Sequence, residues 1–177
     1  MDFMASVYGL VGFLTRWSEF KARGFAGRLE AAHQGLNPTV IARVPSGWAV
    51  LGDGQRLPGY SLILSDPLVP SLNDLALEAQ MLFLRDMALL GRAIQDVTDC
   101  ARVNYGIYGN SDPYLHAHVF ARYAWEDPER ARVPVWKSYS PDEPSAEEFQ
   151  FTLEKHTDLR SKLEVRLLEL LPESGPS

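Results

Sequence analysis

Between Tyr114 and Arg122 the chain alternates with a period of two: Tyr114, His116, His118 and Arg122 fall on one side of an extended strand, and Leu115, Ala117, Val119 and Ala121 on the other. The pattern predicts a strand with one apolar face and one polar face. Residues 104–108, beginning Asn104-Tyr105, read as its antiparallel partner, and Asn110-Ser111-Asp112-Pro113, with Gly106 and Gly109 upstream, supplies the turn. Three further short strands are predicted at about 39–44, 48–51 and 60–64, separated by Pro45-Ser46-Gly47 and Gly52-Asp53-Gly54. Helical spacing marks three other stretches. One runs from Trp17 to His33 and is stopped by Gly35 and Pro38. A second covers about 73–98, with Leu75, Met81, Leu82, Leu84, Leu89 and Ile94 as its core-facing stripe. The third covers about 145–171, with Ser145 and Glu148 as a capping box and Phe149, Leu153, Leu163 and Leu167 as its stripe. Residues 127–144 read as a loop. The expected class is α+β, an antiparallel sheet of about five strands with a long helix packed on it and helices added at both ends.

Composition narrows the setting. A chain of 177 residues with 46% apolar and 23% charged residues suits one ordinary globular domain able to bury its own core. The net charge of -6 argues against a nucleic-acid polymer or an anionic membrane as partner, since such surfaces need clustered Lys and Arg. Cys100 is the only cysteine, which excludes an intrachain disulfide and makes a reducing cytoplasm the simplest compartment. The apolar run 3–14 has the composition of a signal-peptide core. It carries Asp2 in place of a basic leader, shows no cleavage signature and is short for a membrane span, so it is expected to pack on the domain.

Two imidazoles and a phenol with an arginine beyond them suit a phosphate-bearing ligand better than an ordinary solvated face. Two histidines two apart on a strand could also share zinc. However, His33, His156 and Cys100 have no ligand-like spacing to the pair, and no metal or other cofactor is expected. Trp48, Tyr60, Tyr105, Tyr108 and Trp136 could include a platform for a base, against core packing as the ordinary role of each. The only Gly-x-Gly, Gly52-Asp53-Gly54, lacks a following Lys-Ser or Lys-Thr, and there is no serine nucleophile elbow.

The strand 114–122 resembles the motif of the histidine-triad superfamily of nucleotide hydrolases and transferases, His-x-His-x-His followed by apolar residues: the last two histidines match at His116 and His118, and Tyr114 replaces the first. The resemblance extends over about 37–137. Pro58-Gly59-Tyr60-Ser61-Leu62-Ile63-Leu64 is similar to the strand ahead of the long helix, with Tyr60 where many members have histidine. The stretch from Asp66 to Leu75 is similar to the segment leading into that helix, and the surroundings of Asn104 and Asn110 are similar to a bacterial branch related to diadenosine polyphosphate hydrolases. On this resemblance, 1–36 is an added N-terminal helical segment, 37–137 the histidine-triad-like domain, and 138–177 a loop and helix packed on it.

The resemblance implies that His116 attacks the phosphorus next to a nucleoside to form a nucleotidyl-histidine. It implies that His118 orients the nucleophile or binds the phosphate, that Tyr114 stands at a proton-handling position, that Asn110 and Ser111 supply phosphate contacts, and that Asn104 is a further phosphate or orienting contact; Arg122, on the same face of the strand, is expected to bind phosphate from its position alone. A phenol, with a reference pKa of about 10 against about 6.5 for imidazole, is the poorer proton shuttle. The implied ligand is a dinucleoside polyphosphate, a nucleoside phosphoramidate or an adenylylated molecule, and the implied assembly is a homodimer. A nucleotide-binding relative that has lost catalysis is the alternative.

Overall fold

A computed structural model of the chain describes residues 3–110, 112–139 and 146–172. Its centre is a five-stranded antiparallel sheet in the order β1-β2-β3-β5-β4. The strands are β1 (Val40–Val44), β2 (Gly47–Leu51), β3 (Ser61–Ser65), β4 (Arg102–Ile107) and β5 (His116–Arg122). The predicted strands therefore all form, each within two residues of the sequence reading. The histidine strand lies inside the sheet between β3 and β4, pairing Leu62 with His118 on one side and Gly106 with His118 on the other.

The two faces of the sheet are covered differently. Ala117, Val119 and Ala121 point with Ile63 towards α3 (Leu77–Val97) and the C-terminal helix, which spans Leu153–Leu170. Phe83, Leu90, Ile94, Leu163 and Leu167 close this side with no exposed surface. Removing each such side chain from water contributes about 1.5–3 kcal/mol. The periodicity is right in part for α3, since Ile94 is buried and Leu75 and Leu89 pack on the core, but Met81, Leu82 and Leu84 do not face it. The buried row of the helix is Phe83, Asp86, Leu90, Gly91, Ala93 and Ile94, while Leu77, Met81, Leu82 and Leu84 are exposed. The buried row includes Asp86, Gly91 and Ala93 while the exposed one holds three leucines and a methionine, so hydropathy alone could not tell which faces the sheet.

The other face carries the histidines, and residues 24–33 pack across part of it, whereas Leu10, Val11 and Leu14 of the apolar run expected to pack on the domain are exposed. The expected single helix 17–33 is two helices, α1 (Phe3–Lys21) and α2 (Gly24–His33), with a turn between them in which Gly24 adopts a φ of +65°. Phe25 of α2 packs beside Val50, Leu62 and Leu64. No helix among the described residues is long and apolar enough to cross a membrane.

The stretch expected to be a loop after β5 holds two short helices, α4 (Pro128–Ala131) and α5 (Val135–Ser138). Asp127 caps α4 by accepting from the Glu129 and Arg130 N–H groups. The C-terminal helix, α6, starts later than expected, with Thr152 Oγ1 accepting from the Lys155 N–H at 3.2 Å. Glu148 belongs to a separate single turn, Glu147–Phe149, and Ser145 lies outside the described residues.

Candidate active site

His116 opens β5 and is 5% exposed. Its Nδ1 lies 2.7 Å from the backbone carbonyl of Tyr114. A carbonyl only accepts, so Nδ1 donates and the neutral ring carries its lone pair on Nε2. The Phe25 ring lies 4.2 Å from it and the His118 ring 4.9 Å, centroid to centroid. Phe25 is held by its own backbone N–H, which donates to Asp112 Oδ2 at 2.8 Å. The tip of the β4–β5 connection, read from sequence as a turn, is thus also the clamp that fixes α2 over His116.

His118 has the complementary arrangement. Its Nδ1 is 2.7 Å from Tyr60 Oη. Burial, reinforced by the neighbouring His116, lowers the His118 imidazole to about 4, so the ring is neutral at pH 7. Burial pushes the Tyr60 phenol well above its ordinary range, with Asp53 adding to the rise. The phenol therefore keeps its proton and can donate it to Nδ1, the arrangement that places an N–H on Nε2 of His118. One histidine then presents a lone pair and its neighbour a donor, each set by a hydrogen bond to the opposite ring nitrogen.

Tyr60 reaches His118 because β3 and β5 pair with Leu62 opposite His118, which brings the residue two before Leu62 to the same face. Gly59, at a φ of +84°, makes the turn that delivers it. Its ring stacks on Phe120 at 4.5 Å and 4°, and Phe120 is parallel to His118 at 5.6 Å. Across β5, Gly106 leaves room for the Tyr108 ring to fold back over it, since a Cβ there would meet Tyr108 Oη at 2.2 Å. Tyr108 approaches His118 at 5.6 Å and Trp136 at 4.8 Å.

The remaining residues singled out in the sequence separate. Tyr114 precedes the strand and meets His116 through its carbonyl. Asn110 is exposed at the hairpin tip, and Ser111 lies outside the described residues. Asn104 pairs with Phe120, two residues further along the ladder than Gly106 with His118, and its Oδ1 accepts from Arg122 Nη1 at 3.1 Å.

Arg122 shares the histidine face, as the alternation requires, but is not presented to a ligand. It is 2% exposed. Its Nε lies 3.0 and 3.1 Å from the two Glu126 carboxylate oxygens, Nη1 also donates to the Val133 carbonyl at 3.1 Å, and Nη2 to the Arg130 carbonyl at 2.8 Å. Glu126 further accepts from the Tyr123 N–H and from Tyr139 Oη. Burial alone would raise the Glu126 carboxyl, but these donors, Arg122 first, hold it below its ordinary range. The expected phosphate ligand is instead the staple that fixes the 123–139 segment to the sheet. The segment that buries it was read as a loop, so nothing in the sequence pattern showed the cover.

The other histidines stand away from the pair. His33 Nε2 lies 3.1 Å from Asp66 Oδ2, and His156 Nδ1 lies 3.0 Å from the Thr152 carbonyl near the start of α6. Among the described residues no group of three or more His, Cys, Asp or Glu is placed to hold a metal ion.

Solved structures share this architecture. A histidine triad protein from Marinobacter aquaeolei VT8 superposes with a TM-score of 0.58 at 20% identity, over 74% of this chain and 89% of that one. A histidine triad (HIT) protein from Sinorhizobium meliloti 1021 gives 0.58 at 21%, over 75% and 88%. A protein from Sulfolobus tokodaii strain7, described as a hypothetical histidine triad nucleotide-binding protein, gives 0.60 at 14%, over 81% and 92%. No family model and no curated protein matches the chain. The fold is that of the histidine triad proteins, with the α+β, five-stranded antiparallel arrangement expected from the sequence.

Proposed function

We propose that the chain is a nucleotide hydrolase or nucleotidyl transferase of the histidine-triad superfamily, acting at a nucleoside phosphate linkage through a nucleotidyl-histidine on His116. The observation that carries this reading is the pair of adjacent imidazoles held through Nδ1, His116 by the Tyr114 carbonyl and His118 by Tyr60 Oη, which suits Nε2 of His116 to attack and Nε2 of His118 to donate. The nucleotide-binding description of the Sulfolobus tokodaii protein agrees with it.

In the first step the His116 Nε2 lone pair forms a bond to phosphorus. The bond from phosphorus to the leaving oxygen or nitrogen breaks, and its electron pair stays with the leaving atom, which takes up a proton. The His118 N–H donates to a non-bridging oxygen of the phosphoryl group, whose negative charge is concentrated in the transition state. Asn110 at the hairpin tip adds a phosphate contact, as does Ser111, and the Tyr114 phenol supplies the leaving-group proton. A water or other acceptor then attacks phosphorus, returns the pair of the P–N bond to Nε2 and loses a proton. The substrate is a dinucleoside polyphosphate, a nucleoside phosphoramidate or an adenylylated molecule. No step calls on a metal.

One observation favours a second reading, a nucleotide sensor without catalysis: Phe25 packs at 4.2 Å on a nucleophile that is already almost fully buried, and the first histidine of the triad is a tyrosine. Thermal unfolding with AMP beside a turnover assay separates the two. The enzyme reading expects stabilisation by AMP together with release of AMP from a phosphoramidate. Stabilisation without turnover selects the sensor, and neither response contradicts both.

A further inference from the structure

The histidine face continues past His118 into a groove of about 530 Å³, whose floor is Arg102, Asn104 and Phe120 and whose wall is the Ala131–Trp136 segment. We propose that this groove is the leaving-group subsite of the reaction and that it receives a planar aromatic moiety. The proposal rests on the reading of His116 as the nucleophile.

Three observations point to that occupant. The groove adjoins the reacting groups through two of its lining rings: Phe120 lies parallel to His118 at 5.6 Å, and Trp136 meets Tyr108 at 4.8 Å, whose ring is in turn 5.6 Å from His118. Aromatic rings are prominent in its exposed lining, with Tyr105 43% exposed. Trp136 is 55% exposed, where an ordinary core tryptophan would be covered, and Phe120 extends the row formed with Tyr60 and His118. Its polar lining is all donor and no acid: Arg102, whose Nη2 donates to the Ala131 carbonyl at 2.7 Å, Arg132, and Asn104. Asn104 gives its Oδ1 to Arg122, which leaves its amide nitrogen as the group to offer a ligand. Arg132 meets Glu129 in a highly exposed pair, which holds it only weakly.

The groove is also built rather than incidental. Its wall hangs from Arg122 through the Arg130 and Val133 carbonyls, and Ser138 Oγ donates to the same segment, with the Arg130 carbonyl at 2.7 Å. The Arg122–Glu126 network, which does not touch the reacting atoms, therefore shapes the place where the departing group rests.

The test uses AMP phosphoramidates of two amines of similar basicity, phenylethylamine and butylamine, with diadenosine tetraphosphate as a third substrate. Matched basicity removes leaving-group chemistry from the comparison. The wild type should prefer the phenylethyl over the butyl substrate, and Trp136→Ala should lower kcat/KM for aromatic leaving groups about tenfold while the butyl substrate changes less than about twofold. Trp136→Phe, which keeps a ring, should recover most of the loss. Val133→Asp, which places a carboxylate at the rim, should reproduce the discrimination if Trp136→Ala does not fold. A loss on diadenosine tetraphosphate larger than on the phenylethyl substrate identifies a nucleobase as the aromatic group, and the reverse identifies a small aryl group. Equal effects on aromatic and butyl substrates, or none on either, overturn the subsite and leave the nucleophile standing. Absence of turnover on every substrate overturns both.

Discussion

Two hydrogen bonds of 2.7 Å orient the histidines: the Tyr114 carbonyl can only accept from His116 Nδ1, and the Tyr60 hydroxyl meets His118 Nδ1 in the bond we assign as a donor to the ring. The one most open to test is that from Tyr60. Tyr60→Phe leaves the stacked ring on Phe120 but removes the donor to His118 Nδ1, at a cost of about 1–3 kcal/mol for the unpaired nitrogen. Turnover should fall by about tenfold, and the ¹⁵N shifts of His118 should change from a single Nε2–H tautomer to a mixture. An unchanged tautomer would remove Tyr60 from its positioning role. Tyr114 makes a different claim. Tyr114→His should raise rates most for AMP esters with poor leaving groups, which depend most on protonation of the departing atom. An unchanged slope of log rate against leaving-group pKa would show that this position handles no proton.

The same residues set a pH dependence. The folded His118 titrates near 4 and an unfolded histidine near 6.5, so between those values the unfolded chain binds more protons. Stability should fall as pH drops from about 6.5 to about 4, by at most about 3 kcal/mol, and His118→Gln should flatten that window.

Among the elements, the segment after β5 shows how much of the design a one-dimensional pattern hides. Alternation placed Arg122 correctly on the histidine face. What covers that face depends on the chain turning back over β4 and β5 at Glu126, through contacts that no periodicity records. The five strands, the long helix and the histidine strand were legible because each repeats a local rule. The α1–α2 break, the full core row of α3 beyond Ile94 and the Tyr60–His118 bond were not, since they depend on one glycine's backbone, on which side chains of the helix meet the sheet, and on the register of β3 against β5. Arg122 and Glu126 give the element-scale prediction. Glu126→Gln leaves a buried guanidinium without its charge partner and should destabilise the chain by about 3–5 kcal/mol in denaturant unfolding. Because donors hold the Glu126 carboxyl below its ordinary range, its share of the stability is present above about pH 4.3 and is lost as pH falls further. A loss below about 1 kcal/mol would show that the staple is dispensable.

For the whole molecule, the side of α3 turned from the core exposes Leu77 at 64% and Met81 at 61%, with Leu84 a turn further on, and β4 leaves one edge of the sheet unpaired. The homodimer we propose joins two copies through this helix face, which would cover the apolar row. Met81→Lys should convert a dimer to a monomer in light scattering at micromolar concentration. A wild-type monomer would contradict the arrangement.

The enzyme reading itself depends on one bond, that between phosphorus and His116 Nε2. Rapid acid-free quenching during turnover of an AMP phosphoramidate, followed by intact-mass and peptide mass spectrometry, measures it. The expected result is an adenylyl group on the peptide containing His116, absent from His116→Ala, which should retain the fold and lose at least about a thousandfold in rate. Steady turnover by His116→Ala within a few-fold of the wild type, or an adenylyl group carried elsewhere, would contradict it.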